Sequence, residues 1–160
     1  MQAYTKKIFA VFGNPILHSR SPQIFNAVFE HKNINAFYTR IQTTNGKEVA
    51  DIIKKHKIRG ANITTPFKEA VLEYVDSISD EAKQIGGINV VINSNGTLLG
   101  YNTDHLGVIK PLEKMVDLKT ANCLVLGAGA AARAAMFGLT QKGANVTIAN
   151  RTFEKAKQVA

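Results

Sequence analysis

Four stretches of the chain combine residue types and spacings that could do chemistry. The most specific is Gly127-Ala128-Gly129-Ala130-Ala131-Ala132, directly after the apolar run Leu124-Val125-Leu126. A buried strand, a tight glycine turn and a helix start, in that order, cradle a pyrophosphate. Backbone N–H groups and the positive end of the helix dipole then face the anion together. Ala132 stands at the third glycine position of this pattern, which tolerates alanine. The flanks agree: a strand over Asn122 to Leu126, a helix over Ala131 to Lys142 broken at Lys142-Gly143, and a second strand over Asn145 to Ala149. Strand, turn, helix and strand make a βαβ unit. The second strand runs into Asn150-Arg151-Thr152, with Lys155 one turn further on. A site for NAD has a carboxylate about 20 residues past the glycines, accepting from the ribose 2′-hydroxyl. A carboxylate would repel a 2′-phosphate. A guanidinium pairs with it bidentately, and a nearby ammonium adds charge. The residues therefore predict NADP. Solvation alone explains Arg151 and Lys155 poorly, because cations are unfavourable at a helix start.

The other three stretches are His18-Ser19-Arg20-Ser21-Pro22, Asn62-Ile63-Thr64-Thr65-Pro66-Phe67-Lys68 and Asn102-Thr103-Asp104. Each falls in a predicted loop at a strand end, where α/β folds place their sites. Each also has a purely structural reading. Ser21 caps a helix, Thr64 and Thr65 turn the chain before proline, and Asp104 is a first-turn acid. Taken singly, the residues leave both readings open.

The elements that must position these groups alternate strand with helix. Lys7–Phe12 reads as a strand, and Ser21-Pro22 as an N-cap followed by proline at the first helical position. Ile24, Phe25, Val28 and Phe29 fall on one face of that helix. A strand over Ala36–Gln42 and a helix over Gly46–His56, with Val49, Ile52 and Ile53 inward, come next. Ala61–Thr64 is a short strand, and Pro66 opens a helix over Phe67–Val75. Ser79–Ile85 reads as a short helix and Ile88–Ile92 as a strand. Asn95-Gly96, before a strand at Thr97–Leu99, is the strongest hairpin signal in the chain. His105–Met115 reads as a helix interrupted by Gly107 and Pro111. The fold class is α/β, with a boundary near residues 102–120.

Composition narrows the class further. A hydrophobic content of 45% and a charged content of 20% are those of an ordinary soluble globular protein. No apolar stretch approaches the roughly 18 residues of a membrane helix. The start Lys6-Lys7-Ile8-Phe9-Ala10-Val11-Phe12-Gly13 imitates a signal peptide, but it leads into Asn14-Pro15 and not into a cleavage site. A cytoplasmic location is expected. The lone Cys123 excludes an internal disulfide, and no metal is called for. The net charge of +8 raises nucleic-acid binding as a reading. The basic residues are scattered, however. Their one cluster, Lys54-Lys55-His56-Lys57 with Arg59, caps a predicted helix end, where cations suit the dipole. Anionic small molecules are the simpler expectation, with no nucleic-acid and no membrane partner.

Together the motifs resemble those of the shikimate dehydrogenase family. The resemblance rests on Phe12-Gly-Asn-Pro15 with His18-Ser-Arg-Ser-Pro22, and on Gly60-Ala-Asn-Ile-Thr-Thr-Pro-Phe-Lys68. It continues through Gly86-Gly-Ile-Asn89, Asn102-Thr-Asp104, Gly127-Ala-Gly-Ala130 and Asn150-Arg-Thr152. It implies an N-terminal α/β substrate-binding domain over residues 1–102, a connecting helix and linker over 103–120, and the first part of a Rossmann-type NADP-binding domain over 121–160. It implies NADP-dependent interconversion of 3-dehydroshikimate and shikimate, a step of aromatic amino-acid biosynthesis. Ser19 and Ser21 would hold the substrate carboxylate, and Thr64, Asn89 and Asp104 the ring hydroxyls. Lys68 and Asp104 would be the catalytic pair. Gly127, Ala128, Gly129, Ala130 and Ala131 would hold the pyrophosphate. Asn150, Arg151, Thr152 and Lys155 would hold the 2′-phosphate. Such chemistry needs these types: reducing a ketone leaves charge on oxygen, which a lysine ammonium stabilises and protonates. Val90 and His105 depart from the family pattern, which often has threonine and glycine there, without removing a proposed contact.

Length qualifies the expectation. The family chain continues through the rest of the nucleotide domain. Two strands and one full helix within residues 121–160 leave an apolar face and strand edges uncovered. The expectation is a stable domain up to about residue 102 and a remainder that is mobile, dimerises through its exposed strands, or is ordered only by further chain, with poor NADP affinity. A catalytically incompetent substrate-binding module and a quinate/shikimate paralogue stand as alternatives. A homodimer is left open.

Overall fold

The computed structural model describes residues 6–159. The chain packs into two compact units. One takes in the chain up to Ser79 and returns with Gly87–Tyr101; the other holds Asp80–Gly86 and the chain from Asn102 onward.

The first unit is a six-stranded sheet in the order β2-β1-β3-β5-β6-β4. Its strands are β1 (Lys7–Gly13), β2 (Ala36–Gln42), β3 (Gly60–Ile63), β4 (Ser77–Ile78), β5 (Val90–Ser94) and β6 (Thr97–Tyr101). The pairs β1–β2 and β1–β3 are parallel, and β3–β5 and β5–β6 antiparallel. Ala10, Phe12, Ala61, Ile63, Val91 and Leu98 are buried along these strands. The hairpin forms where Asn95-Gly96 predicts it, with positive φ at both residues (54° and 100°), which asparagine and glycine tolerate best. This topology brings the carboxyl ends of β1, β3 and β6 and the amino end of β5 to one edge.

The helices are α1 (Ser21–His31), α2 (Gly46–Lys55) and α3 (Phe67–Ala70), followed by a 3-10 turn at Leu72–Tyr74. Asn45 caps α2 by accepting from the Glu48 N–H at 2.9 Å, and Glu48 accepts from the Thr44 N–H at 2.7 Å. Val49 and Ile53 of that helix are fully buried. Helix α1 differs from expectation at its start. Arg20, not Ser21, is the N-cap, because the Ile24 N–H donates to the Arg20 carbonyl at 3.2 Å. Its apolar face is also less covered than the periodicity suggests: Ile24 is 61% exposed, while Phe25 stacks on Tyr38 with ring centroids 4.5 Å apart. The predicted helix over Phe67–Val75 is split. The Lys68 carbonyl accepts from Ile88 N at 2.7 Å, so it leaves the helical ladder.

The second unit holds α4 (Asp80–Ile85), α5 (Asp104–Leu112), a 3-10 turn (Leu118–Thr120), β7 (Asn122–Leu126), α6 (Ala130–Gln141), β8 (Asn145–Ala149) and α7 (Phe153–Lys157). Gly107 does not interrupt α5, and Pro111 sits in its last turn, so the helix stops short of Met115. Strands β7 and β8 pair in parallel, with Val125 opposite Ile148. Ile109, Leu118 and Leu139 form the core, with Val125 and Val146 packed on it. Gly138 lets α5 approach α6, since a Cβ there would lie 2.6 Å from Ile109. On the other face Leu124 and Leu126 are 62% and 76% exposed. The architecture is mixed α/β, with parallel strand pairing in both units.

Candidate active site

In the first unit, the loops leaving β1 and β3 are locked together. Thr64 N donates to the Phe12 carbonyl at 2.9 Å, and Asn14 N to the Thr65 carbonyl at 3.1 Å. Only glycine fits at the end of β1, because a Cβ at Gly13 would lie 2.6 Å from Thr64 Cγ2 and 2.8 Å from Ile16 Cδ1. The Asn14–Pro15 and Thr65–Pro66 peptides are both cis. From the neighbouring strand, Ile63 N donates to the Asn89 carbonyl at 2.8 Å, and Asn89 N to the Tyr101 carbonyl at 3.0 Å. Thr64, Lys68 and Asn89 are thus seated around one edge of the sheet by backbone bonds. Asn89 is buried, and Thr64 and Lys68 are half-buried.

Ser19 and Ser21 form a hydroxyl pair. Ser19 Oγ lies 3.2 Å from Ser21 Oγ and accepts from the Ser21 N–H at 3.3 Å. Arg40 fixes the turn from below, with Nε donating to the Ser19 carbonyl at 2.8 Å and Nη2 to Gln23 Oε1 at 2.8 Å. Arg40 lies within a strand, so nothing in the local pattern marks it. Behind it, Tyr38 Oη donates to Asn62 Oδ1 at 2.6 Å, and burial pushes the phenol pKa well above its usual range.

The second unit carries Asp104 at the first position of α5, its N–H donating to Asn102 Oδ1 at 2.9 Å. His105 presses its ring edge-on to Phe137, with centroids 5.3 Å apart. Lys68 belongs to one unit and Asp104 to the other.

The glycine loop has the geometry of an anion cradle. Gly127 has φ 110°, a left-handed conformation that glycine adopts without penalty. Its N–H donates to the Ala149 carbonyl at 2.7 Å, tying the turn to β8. Gly129 is the N-cap of α6, and no side chain caps that helix. Neither Gly127 nor Gly129 has an atom within 4 Å of where a Cβ would sit, so the space above both is open. The uncapped amides of Ala130 and Ala131 fit a dinucleotide pyrophosphate. Past β8, Asn150 Nδ2 donates to the Thr152 carbonyl at 2.8 Å, while Arg151 and Lys155 are exposed. Arg133 of α6 lies outside the motifs that mark the site in the sequence. Its guanidinium donates to the carbonyls of Ile85 (2.8 Å) and Gly86 (3.1 Å), holding the end of α4 against α6. An arginine three residues into a glycine-loop helix is the signal that could have found it. Among the described residues, no group of three or more His, Cys, Asp or Glu could hold a metal ion. No helix of the described residues is long and apolar enough to cross a membrane.

A sheet-edge cluster of hydroxyls, amide and lysine, followed by a glycine-loop βαβ unit, places the chain in the Rossmann-like α/β class. Residues 11–91 match the shikimate dehydrogenase substrate binding domain, and residues 111–160 match shikimate / quinate 5-dehydrogenase. The chain belongs to the shikimate dehydrogenase family. It is 41% identical over 154 residues to shikimate dehydrogenase (NADP(+)) of Pyrococcus furiosus, covering 96% of this chain and 56% of that protein. The crystal structure of shikimate dehydrogenase from Aquifex aeolicus superposes with a TM-score of 0.94 at 38% identity, over 100% of this chain and 61% of that one. The Thermus thermophilus enzyme in complex with NADP(H) and shikimate gives a TM-score of 0.89 at 36% identity, over 96% and 59%. The chain therefore spans a little more than half the length of these relatives.

Proposed function

We propose that this chain carries the substrate site, the proton-transfer residues and the pyrophosphate loop of an NADP-dependent shikimate dehydrogenase. In this reading residues 1–102 bind substrate, 103–120 connect, and 121–160 begin the NADP-binding domain, in a cytoplasmic enzyme. The observation that carries the reading is the backbone lock at the sheet edge. The pairings Ile63–Asn89, Thr64–Phe12 and Ile88–Lys68 hold Thr64, Lys68 and Asn89 at fixed positions before any ligand binds.

Ser19 and Ser21 donate to the substrate carboxylate, and the Arg40 bonds keep their turn in place. Thr64, Asn89 and Asp104 hydrogen-bond the ring hydroxyls and so fix which carbon faces the cofactor. NADPH, when bound, supplies the hydride. The Lys68 ammonium stabilises the carbonyl oxygen as charge develops there and gives it a proton. In the reverse direction the neutral Lys68 amine takes the proton from the hydroxyl, with Asp104 as its partner in proton transfer. Gly127, Ala128, Gly129, Ala130 and Ala131 hold the pyrophosphate, while Asn150, Arg151, Thr152 and Lys155 hold the 2′-phosphate.

The test has two arms. Added shikimate should shift the amide resonances of Ser19, Thr64 and Asn89. In protein that oxidises NADPH with 3-dehydroshikimate, Lys68→Met should lower kcat by about two to four orders of magnitude, with shikimate Kd changed only a few-fold. Turnover that survives in Lys68→Met with only KM raised would remove Lys68 from the chemistry.

A further inference from the structure

At the opposite edge of the six-stranded sheet lies a second concave surface. It is a cleft of about 800 Å3 whose charged side is Lys6, Lys7, Lys54, His56, Lys57 and Arg59. The topology gathers them. Lys6 and Lys7 lie at the amino end of β1, Arg59 just before β3, and the others in or just after the last turn of α2. The β5–β6 turn closes the cleft, because β5 runs antiparallel to β3 and so ends at this edge, where β6 begins. The floor is rigid. Arg59 N donates to the Ile8 carbonyl at 2.8 Å, and Asn93 N to the Arg59 carbonyl at 3.1 Å. The Asn93 side chain is held on both sides, its Nδ2 donating to the Ile53 carbonyl at 3.3 Å and its Oδ1 accepting from Gly96 N at 2.8 Å.

Two features of the cleft are unexplained by folding. The first is charge. Five lysine and arginine side chains share it, and among the described residues the carboxylate paired with them is Asp76, 3.3 Å from Lys54. Other lysines in this chain have near acids, as in Lys47–Asp51 and Lys142–Glu113. The α2 dipole accounts for cations in its last turn. It does not account for Lys7 and Arg59, which belong to strand starts, or for Lys6, whose ammonium also lies 5.8 Å from the centre of the Phe37 ring. The second feature is Lys57. Helix α2 ends in a Schellman motif, with Ile58 N donating to the Ile53 carbonyl (3.1 Å) and Lys57 N to the Lys54 carbonyl (3.3 Å). Lys57 sits at its left-handed position, φ 50°, where glycine is favoured. The chain keeps a cation there at a conformational cost.

We propose that this cleft is a binding site for a small polyphosphate anion, one with two or three linked phosphoryl groups. Five cations spread over a cleft of this size match several linked phosphoryl groups better than one. The volume falls within the range of roughly 300–1,000 Å3 typical of small-molecule sites. Among the described residues no Phe, Tyr or Trp lines it, so His56 is the one ring there on which a base could stack. The site is independent of the function proposed above, since it shares no residue with it.

The experiment is a titration of the isotope-labelled chain with inorganic tripolyphosphate at near-physiological salt. Saturable shifts at one equivalent are expected at Ile8, Lys57, Arg59 and Gly96, separate from any at the glycine loop. Lys57→Gly should raise Tm by about 2–4 °C, because it relieves the left-handed lysine, and yet weaken tripolyphosphate. Lys57→Gly combined with Lys7→Gln and Arg59→Gln should weaken it about tenfold or more, since each exposed pair contributes a few-fold. Lys110→Gln with Lys114→Gln, outside the cleft, should change it less than twofold. Shifts confined to the glycine loop, equal weakening in the two sets of variants, or tighter binding of a single-stranded oligonucleotide at the cleft would each overturn the proposal.

Discussion

Gly13→Ala should damage the proposed substrate site by a single methyl group. The new Cβ would stand 2.6 Å from Thr64 Cγ2, about 0.8 Å inside an ordinary contact of 3.4 Å, and 2.8 Å from Ile16 Cδ1. Ile16 is only 1% exposed and has no room to retreat. The Thr65 carbonyl, 3.1 Å from the same point, is held by the Asn14 N–H. The methyl therefore works against Thr64, which must rotate or carry its loop outward. Overpacking of this kind costs about 1–3 kcal/mol, or a fall in Tm of roughly 3–10 °C for a chain of this size. Rotation about the Thr64 side chain also swings its hydroxyl, so shikimate affinity should fall about tenfold.

The assay is thermal unfolding beside shikimate titration, run as a double-mutant cycle with Thr64→Ser. Serine removes the clashing Cγ2 and keeps the hydroxyl. The double variant should recover at least about half of both losses, a coupling expected only between touching groups. A Gly13→Ala protein as stable as the parent, with unchanged shikimate binding, would refute the close approach. Additive losses in the cycle would show that the methyl strikes something other than Thr64.

Arg151→Asp should weaken NADP and relatively favour NAD; an unaltered ratio of the two affinities would take Arg151 out of the 2′-phosphate site. The Leu98 N–H and then Lys54 hold the Asp76 carboxyl below its ordinary 3.8. A depressed folded-state pKa contributes stability above 3.8 that is lost as pH falls through the lower value. The acid limb of unfolding should thus be shallower in Asp76→Asn, and an identical limb would contradict this. Hydrogen exchange at Val125 and Ile148 should be faster than at Val11, because Leu124 and Leu126 on β7 are open to solvent. Equal, concentration-independent protection would show that the β7–β8 pair is self-sufficient.

Local signals were legible in the sequence wherever one residue type dictates one backbone state. Asn95-Gly96 forms its turn, and Gly127 takes its left-handed conformation. Asn145–Ala149 is a strand over the bounds expected for the second strand of the βαβ unit. What escaped depends on distant partners. The Phe67–Val75 helix breaks because a strand residue, Ile88, takes the Lys68 carbonyl. The two-residue strand β4 exists only through pairing with Leu99 and Gly100. Arg40 acts on a carbonyl 21 positions away. The basic cluster around Lys57 looked like a helix-end feature. Its meaning changed once β1 and β3 brought Lys6, Lys7 and Arg59 beside it.

The two long helices that follow parallel strands at the proposed sites begin differently, and the difference matches the roles proposed for them. At α1 the Ser19 hydroxyl already accepts from the Ser21 N–H, and Pro22 has no N–H to offer. The first turn of α1 therefore has fewer vacant donors, and what it presents outward is a pair of hydroxyls. Hydroxyls that donate and accept suit a carboxylate on a compact polar ring, where orientation matters more than charge. At α6 the cap is Gly129, no side chain fills it, and the following residues are alanines. Its amides stay vacant and unobstructed, which suits a pyrophosphate that needs several donors and close backbone approach. Exchanging the devices should exchange the preferences. Gly129→Ser would supply a capping hydroxyl to the α6 amides and should weaken NADP while leaving shikimate untouched. Ser19→Gly would free the Ser21 N–H and should weaken shikimate while leaving NADP untouched. Parallel losses of both ligands in either variant would show that the helix starts do not divide the work in this way.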